Sequence, residues 1–244
     1  MNKLIKQTAM GLLLGLSLCS LSSLTLALPA DFDAKMAARS DADKARDAAR
    51  HPKETVLELG IKEGSTVVEV AAVGGWFTPV LSAAVGPKGK VIAQFGPFAL
   101  RQNNGQPSKD LAAALGNVTP VFEGVDTIAP NSADFAFTAQ NLHDQANTSE
   151  AAGQKFITDM FNVLKPGGMA VIIDHAGSEG VDNKPLHRVA PSVAKAFIQK
   201  AGFEIVKESK LLFNPADDHT KSSHDASLGR ATDQFLFVVR KPAK

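Results

Sequence analysis

The chain has 244 residues, 44% of them apolar and 21% charged, with a formal charge of +1 at neutral pH. That balance supplies a full core and excludes a disordered chain. A near-neutral chain also lacks the basic footprint of a nucleic-acid binder.

The first segment differs from the rest. Lys3 and Lys6 precede an uncharged run from Gln7 to Ala30, centred on Gly11-Leu12-Leu13-Leu14-Gly15-Leu16, and Thr25-Leu26-Ala27 offers a small-residue cleavage site. A basic start, a short apolar stretch and a small residue at the cut predict a secretory signal peptide over 1–27. Export by the general route to the periplasm or outside the cell follows, with no membrane attachment after cleavage. The competing reading is an uncleaved anchor, since the uncharged run approaches a bilayer-spanning length. Cleavage removes Cys19, the only cysteine, and shifts the formal charge from +1 to −1. The mature domain is then expected to have neither a disulfide nor a thiol nucleophile.

Residues 28–60 read as a charged, alanine-rich extension of one or two exposed helices, closed by His51-Pro52. From 61 to 244 the pattern alternates. Thr66 to Ala71 is β-branched and apolar, bounded by Gly64 and Gly74-Gly75, and predicts a buried strand. Trp76 to Val85 has helical spacing and stops at Gly86-Pro87. Val91 to Phe95 is a second strand, Lys109 to Leu115 a short helix, Val118 to Phe122 a third strand and Asp134 to Thr138 a fourth. Ala152, Phe156, Met160, Val163 and Leu164 mark a helix face that ends at Lys165-Pro166-Gly167-Gly168. Met169 to Asp174 follows as an apolar strand. Pro191 to Ala201 is a further helix, and Phe203 to Leu212 and Phe235 to Arg240 are the last two strands. Strands alternating with helices imply crossovers and a parallel sheet. Two final strands with no helix between them imply an antiparallel hairpin at one edge.

Several segments resemble the class I S-adenosylmethionine-dependent methyltransferases, and in particular a secreted bacterial group of them. They are Arg46-Asp47-Ala48-Ala49-Arg50, Val67-Val68-Glu69-Val70, Gly74-Gly75-Trp76-Phe77-Thr78, Asn141-Leu142-His143-Asp144, Leu164-Lys165-Pro166-Gly167-Gly168, Asp174-His175, Leu186-His187-Arg188 and Asn214 to Thr220. The resemblance implies an α/β, Rossmann-like, doubly wound sheet of seven strands, mostly parallel, with the antiparallel hairpin at its C-terminal edge. It implies S-adenosylmethionine as cofactor, contacted by Glu69, Ala71, Gly74, Gly75, Trp76, Gln94 and Asn141. The chain departs from that pattern: Ala71 and Val73 stand where the family has glycine, and Gln94 stands where an acid would accept the ribose hydroxyls.

Methyl transfer needs alignment of donor and acceptor, exclusion of water, and a base when the acceptor is protonated. His143 and His175 are the candidate bases, Asp174 an orienting carboxylate, and His187 with Arg188 a holder for an acidic group. The histidine spacings match no compact metal motif, so no metal is expected. Two functions remain open: an exported methyltransferase acting on a small molecule, or a binding or scaffold protein that keeps the fold with a degenerate cofactor site.

Overall fold

The computed structural model describes residues 28–243, so the expected signal peptide lies outside the described residues. Four short helices come first: α1 (Phe32–Ala37), α2 (Asp41–Lys44), α3 (Asp47–Arg50) and α4 (Pro52–Leu59). Pro52 both stops α3 and starts α4. Its fixed φ and missing N–H suit the first helical position, whereas the sequence reading used it only as a stop.

The alternating part follows as β1 (Thr66–Glu69), α5 (Thr78–Val85), β2 (Lys90–Gln94), α6 (Gln106–Leu115), β3 (Val118–Val121) and β4 (Ala133–Ala139). Then come α7 (Leu142–Thr148), α8 (Glu150–Val163), β5 (Leu164–His175), α9 (Pro191–Lys200), β6 (Glu204–Ser209) and β7 (Gln234–Arg240). The seven strands form one sheet in the order β3-β2-β1-β4-β5-β7-β6. Only β7 runs against its neighbours, pairing antiparallel with both β5 and β6, so the expected edge hairpin is present.

Side chains alternate across the sheet and feed two cores. Val67, Phe135, Phe137, Val171 and Ile173 point to the face covered by α1, α4 and α5. Val68, Ala136, Ala170 and Ile172 point to the face covered by α8 and α9. Both faces are buried, which explains why β1 and β5 read as unbroken apolar runs.

One expectation fails in detail. β5 starts at Leu164 rather than Met169, so Leu164, expected on the helix face, and Lys165 to Gly168, expected only to end it, are the first residues of a strand that runs to His175. The register between β4 and β5 shifts there, from Ala133↔Leu164 to Phe135↔Met169. The irregular stretch is held instead by Lys241, whose carbonyl accepts Gly167 N–H and whose N–H donates to Gly168. Pro and Gly are tolerated because a bulge on an extended strand asks for no regular ladder bond.

A sheet of this order reverses direction between β1 and β4, and the crevice at their carboxyl ends is where ligands sit in open α/β sheets. Among the described residues no helix is long and apolar enough to cross a membrane.

Candidate functional site

The loop after β1 is the first wall of the crevice. Its backbone takes positive φ at Ala71 (54°), Val73 (51°) and Gly75 (72°). These are the positions where glycines would make that shape cheap. A β-branched residue held there costs on the order of 1–3 kcal/mol. The N–H groups of the exposed Val73 and Gly74 have no hydrogen-bond partner among the described residues and can donate to a ligand. Glu69 ends the strand below them, 3% exposed, accepting from Thr78 Oγ1 at 2.6 Å. Burial pushes its carboxyl up to about 7, against the pull of the Thr78 bond.

Three expected cofactor contacts are occupied otherwise. Gln94 turns inward: its Oε1 accepts Ala71 N–H at 2.9 Å and its Nε2 donates to Glu123 O at 2.9 Å. An amide has one end for each of these backbone groups, and a carboxylate would not. Asn141 donates from Nδ2 to Ala71 O (2.9 Å) and Ala139 O (2.7 Å), latching the β4 end to the β1 loop. Trp76 is buried against the N-terminal helices, donating from Nε1 to Asp43 O at 3.2 Å. The guanidiniums of Arg39, Arg46 and Arg50 lie 5.4, 5.4 and 4.6 Å from its ring centroid, within cation–π range.

The residues present therefore fit S-adenosylmethionine unevenly. The loop shape and its free N–H groups suit the methionine end. The ribose has no carboxylate, and Leu111 and Phe95 pack directly on Gly75, where a Cβ would meet them at 2.5 and 3.3 Å.

The second wall is the end of β5. Asp174 and His175 are neighbours but point to opposite faces of the sheet, so the expected pairing of their side chains does not form. Asp174, fully buried, instead holds His143: Oδ1 lies 2.7 Å from His143 Nδ1, and Oδ2 accepts His143 N–H at 2.7 Å at the start of α7. His143 Nε2 then lies 3.2 Å from Asp144 Oδ1, and Asp144 Oδ1 is 3.6 Å from His187 Nδ1. Burial disfavours charge on His143, but Asp144 and Asp174 outweigh it and push the imidazole up to about 10. A ring that is protonated at neutral pH is not a ready base.

His175 faces the other way. Its Nδ1 is 2.7 Å from Thr232 Oγ1, and burial, with the charges of His143, Arg188 and Arg50, pushes it down to about 4 despite Asp174. His187 closes a short 3-10 turn in the left-handed region, with φ 50° and ψ 51°. Arg188, expected to hold a ligand, is fully buried and committed to Asp217 through two bonds of 3.0 and 2.8 Å. Asp217 also accepts Asp233 N–H (2.7 Å) and His219 N–H (3.1 Å). His219 Nε2 lies 2.8 Å from Asp233 Oδ2, so the polar loop between β6 and β7 is stapled to the sheet end.

His175 lines a cavity of about 600 Å³ beside α3, with Arg46, Arg50, Gln140, His224 and Arg230 and one carboxylate, Asp225. The arginine ion pairs of the described residues are Arg39–Asp47, Arg188–Asp217 and Arg240–Glu204. Arg46, Arg50 and Arg230 take no part. Arg50 donates to the Gln140 side chain, and Arg46 Nε is buried without a partner among the described residues. Burial, then the charges of Arg46 and Arg230, push Arg50 down to about 9. The sequence reading placed Arg46 and Arg50 in a family segment without a role. Their i, i+4 spacing was the signal that both face one side. Nothing in the pattern announced Arg230.

Comparison with known proteins agrees with this architecture. The chain is similar to an Aquifex aeolicus SAM-dependent methyltransferase structure, at a TM-score of 0.60 and 20% identity, over 86% of this chain and 98% of that one. This is the class I methyltransferase fold. A possible exported protein of Bordetella parapertussis shares it at a TM-score of 0.55 and 17% identity, over 81% of this chain and 68% of that chain. In sequence the chain is similar to the ubiquinone/menaquinone biosynthesis C-methyltransferase UbiE of Photorhabdus laumondii, 24% identical over 174 residues. That match spans 67% of this chain and 65% of UbiE, just under two thirds of the relative's length. No family model matches the chain.

Proposed function

We propose that the protein is an exported S-adenosylmethionine-dependent methyltransferase whose acceptor is a small anionic molecule. The observation that carries methyl transfer is the β1 loop. It keeps the shape of a glycine-rich cofactor loop even though Ala71 and Val73 must occupy positive φ to do so. The names of the similar proteins point the same way. Export rests on Lys3, Lys6 and the apolar run that follows them.

The cofactor would be held by the loop from Ala71 to Trp76, above Glu69 and beside Asn141. Bound there, it supplies a methyl group made electrophilic by its sulfonium. The chain's own contribution is alignment and shielding. Arg46, Arg50 and Arg230 attract and orient the acceptor's negative charge, and Gln140 and His175 offer hydrogen bonds at the sheet end. Ala45 to Arg50, in and just before α3, wall one side of the cavity, and Trp76 joins the N-terminal segment to the β1 loop.

The second reading is a binding protein without turnover. It is favoured by the inward turn of Gln94 and by Leu111 and Phe95 against Gly75. Calorimetric titration with S-adenosylmethionine separates the two. A dissociation constant below about 1 mM supports the enzyme. Absence of heat, with citrate still binding in the arginine cavity, supports the binding protein.

A further inference from the structure

We propose that His143, Asp144 and His187 form a binding site for a divalent transition metal ion of the zinc class. The three side chains present Nε2, Oδ1 and Nδ1, that of His143 once the ion displaces the Nε2 proton, and one ligand atom from each lies within 4.8 Å of the others. The measured pairs are 3.2 Å (His143 to Asp144) and 3.6 Å (His187 to Asp144). Ligand atoms bound to one ion at ~2.0–2.1 Å in a tetrahedral arrangement stand roughly 3.3–3.4 Å apart. Two of the three separations straddle that value and the third lies within 4.8 Å, so the two imidazoles need only draw toward each other to close the triangle on an ion.

The support around the triangle is as specific as the triangle. A metal-bound histidine usually gives its other ring nitrogen to a carboxylate, which fixes the ring and its tautomer. Asp174 does this for His143 at 2.7 Å. It is itself fixed by the N–H groups of His143 and His175, at 2.7 Å each. His187 is held in a left-handed backbone conformation directly before the fully buried Arg188. Its neighbour's bonds to Ala176 O, Lys221 O and Asp217 anchor that position to β5 and to the polar loop. The three ligands thus rest on α7 and a pinned turn rather than on free loops.

Access and selectivity follow from the same residues. His143 is buried, whereas the side chains of Asp144 and His187 are 57% and 49% exposed. An ion can enter from that open side, and a fourth position remains for water or a ligand. Two imidazoles and one carboxylate select an intermediate ion such as Zn²⁺ or Co²⁺ over Ca²⁺ or Mg²⁺, which prefer oxygen-only sites. The His224 ring, 4.6 Å from that of His187, is a further imidazole within reach of the open side.

The test uses the full chain, stripped with a chelator and titrated with Zn²⁺ against a chromophoric competitor. One equivalent is expected to bind at about 1 µM or tighter. His187→Ala, at an exposed site, is expected to weaken binding about 100-fold with an unchanged circular dichroism spectrum, and Asp174→Asn about 10- to 100-fold. Co²⁺ should give the visible absorption of a four- or five-coordinate centre, lost in His187→Ala. His219→Ala, a histidine outside the triangle, should leave both readouts unchanged. Binding weaker than about 0.1 mM, or binding indifferent to His187→Ala, overturns the site. These readouts do not involve S-adenosylmethionine, so the metal site and the methyltransferase reading fail separately.

Discussion

Glu69→Gln is the substitution whose effect follows most directly from the structure. The carboxyl at the end of β1 is buried and accepts one bond from Thr78, and burial raises it from 4.5 to about 7. Below pH 4.5 the group is neutral in both folded and unfolded chains and its protonation contributes nothing to the balance between them. Between the two values the unfolded chain releases the proton while the folded chain keeps it, so stability falls as pH rises. Above pH 7 both are ionised, and the folded state carries a buried charge whose full cost is about 3 kcal/mol, at ~1.4 kcal/mol per tenfold. Glutamine keeps the shape and the acceptor for Thr78 and cannot ionise. The variant should match the parent near pH 4 and exceed it by about 3 kcal/mol at pH 8, a rise of ~2–4 °C in Tm for each kcal/mol. Urea denaturation at several pH values, with the slope against denaturant unchanged, measures the difference. Two parallel stability curves, separated by the same amount at pH 4 and pH 8, would refute the assignment of the burial cost to Glu69.

Other consequences are more local. Val73→Gly removes a β-branched residue from φ 51°; unfolding should show a gain of roughly 0.5–1 kcal/mol after glycine's own entropy is subtracted, and cofactor titration should show tighter binding. Asp217→Ala strands the buried Arg188 guanidinium and should cost about 3–5 kcal/mol by denaturant melt, whereas replacing both partners with apolar residues should recover most of it. Arg230→Ala, on the exposed lip of the arginine cavity, should weaken citrate binding about tenfold at low salt with little effect on stability, and the difference should shrink as salt rises.

Much of the fold was legible because the two periods of the sequence switch cleanly. Val67 and Val68 feed different cores, and so do Ile172 and Ile173, which only a doubly covered strand requires. The start of β5 was illegible for a physical reason. Lys165 to Gly168 contains residues that break regular pairing, yet a bulge anchored by Lys241 accommodates them in extended form. The site was legible as a set of positions and much less as a set of roles. Gln94 was placed by its position at the strand end, where the family has an acid. Its amide was claimed by Ala71 N–H and Glu123 C=O, two backbone groups that no motif records. The adjacency of Asp174 and His175 in sequence hid the partner that matters, His143, which lies 31 positions away on the same face. Trp76 presented an aromatic ring beside the glycines, but the Asp43 carbonyl and three guanidiniums hold it to the N-terminal helices.

That last contact joins the two halves of the crevice. Trp76 belongs to the β1 loop, whose strained residues define the cofactor end. The ring is packed by Arg39, Arg46 and Arg50 of the N-terminal segment, the last two of which line the arginine cavity. Arg50 continues the chain of contacts to Gln140 at the end of β4, and Gln140 Nε2 donates to Gln234 on β7 at 2.9 Å. A shift of the loop on seating a ligand must therefore be absorbed by Trp76, and through it by the arginines that face the second ligand. Among them Arg46 and Arg50 serve both tasks, stacking on the indole and lining the cavity. Anion in the cavity relieves the repulsion among Arg46, Arg50 and Arg230 and so favours the arrangement in which Trp76 is held. By linkage, whatever one ligand does to the affinity of the other must be returned in equal measure.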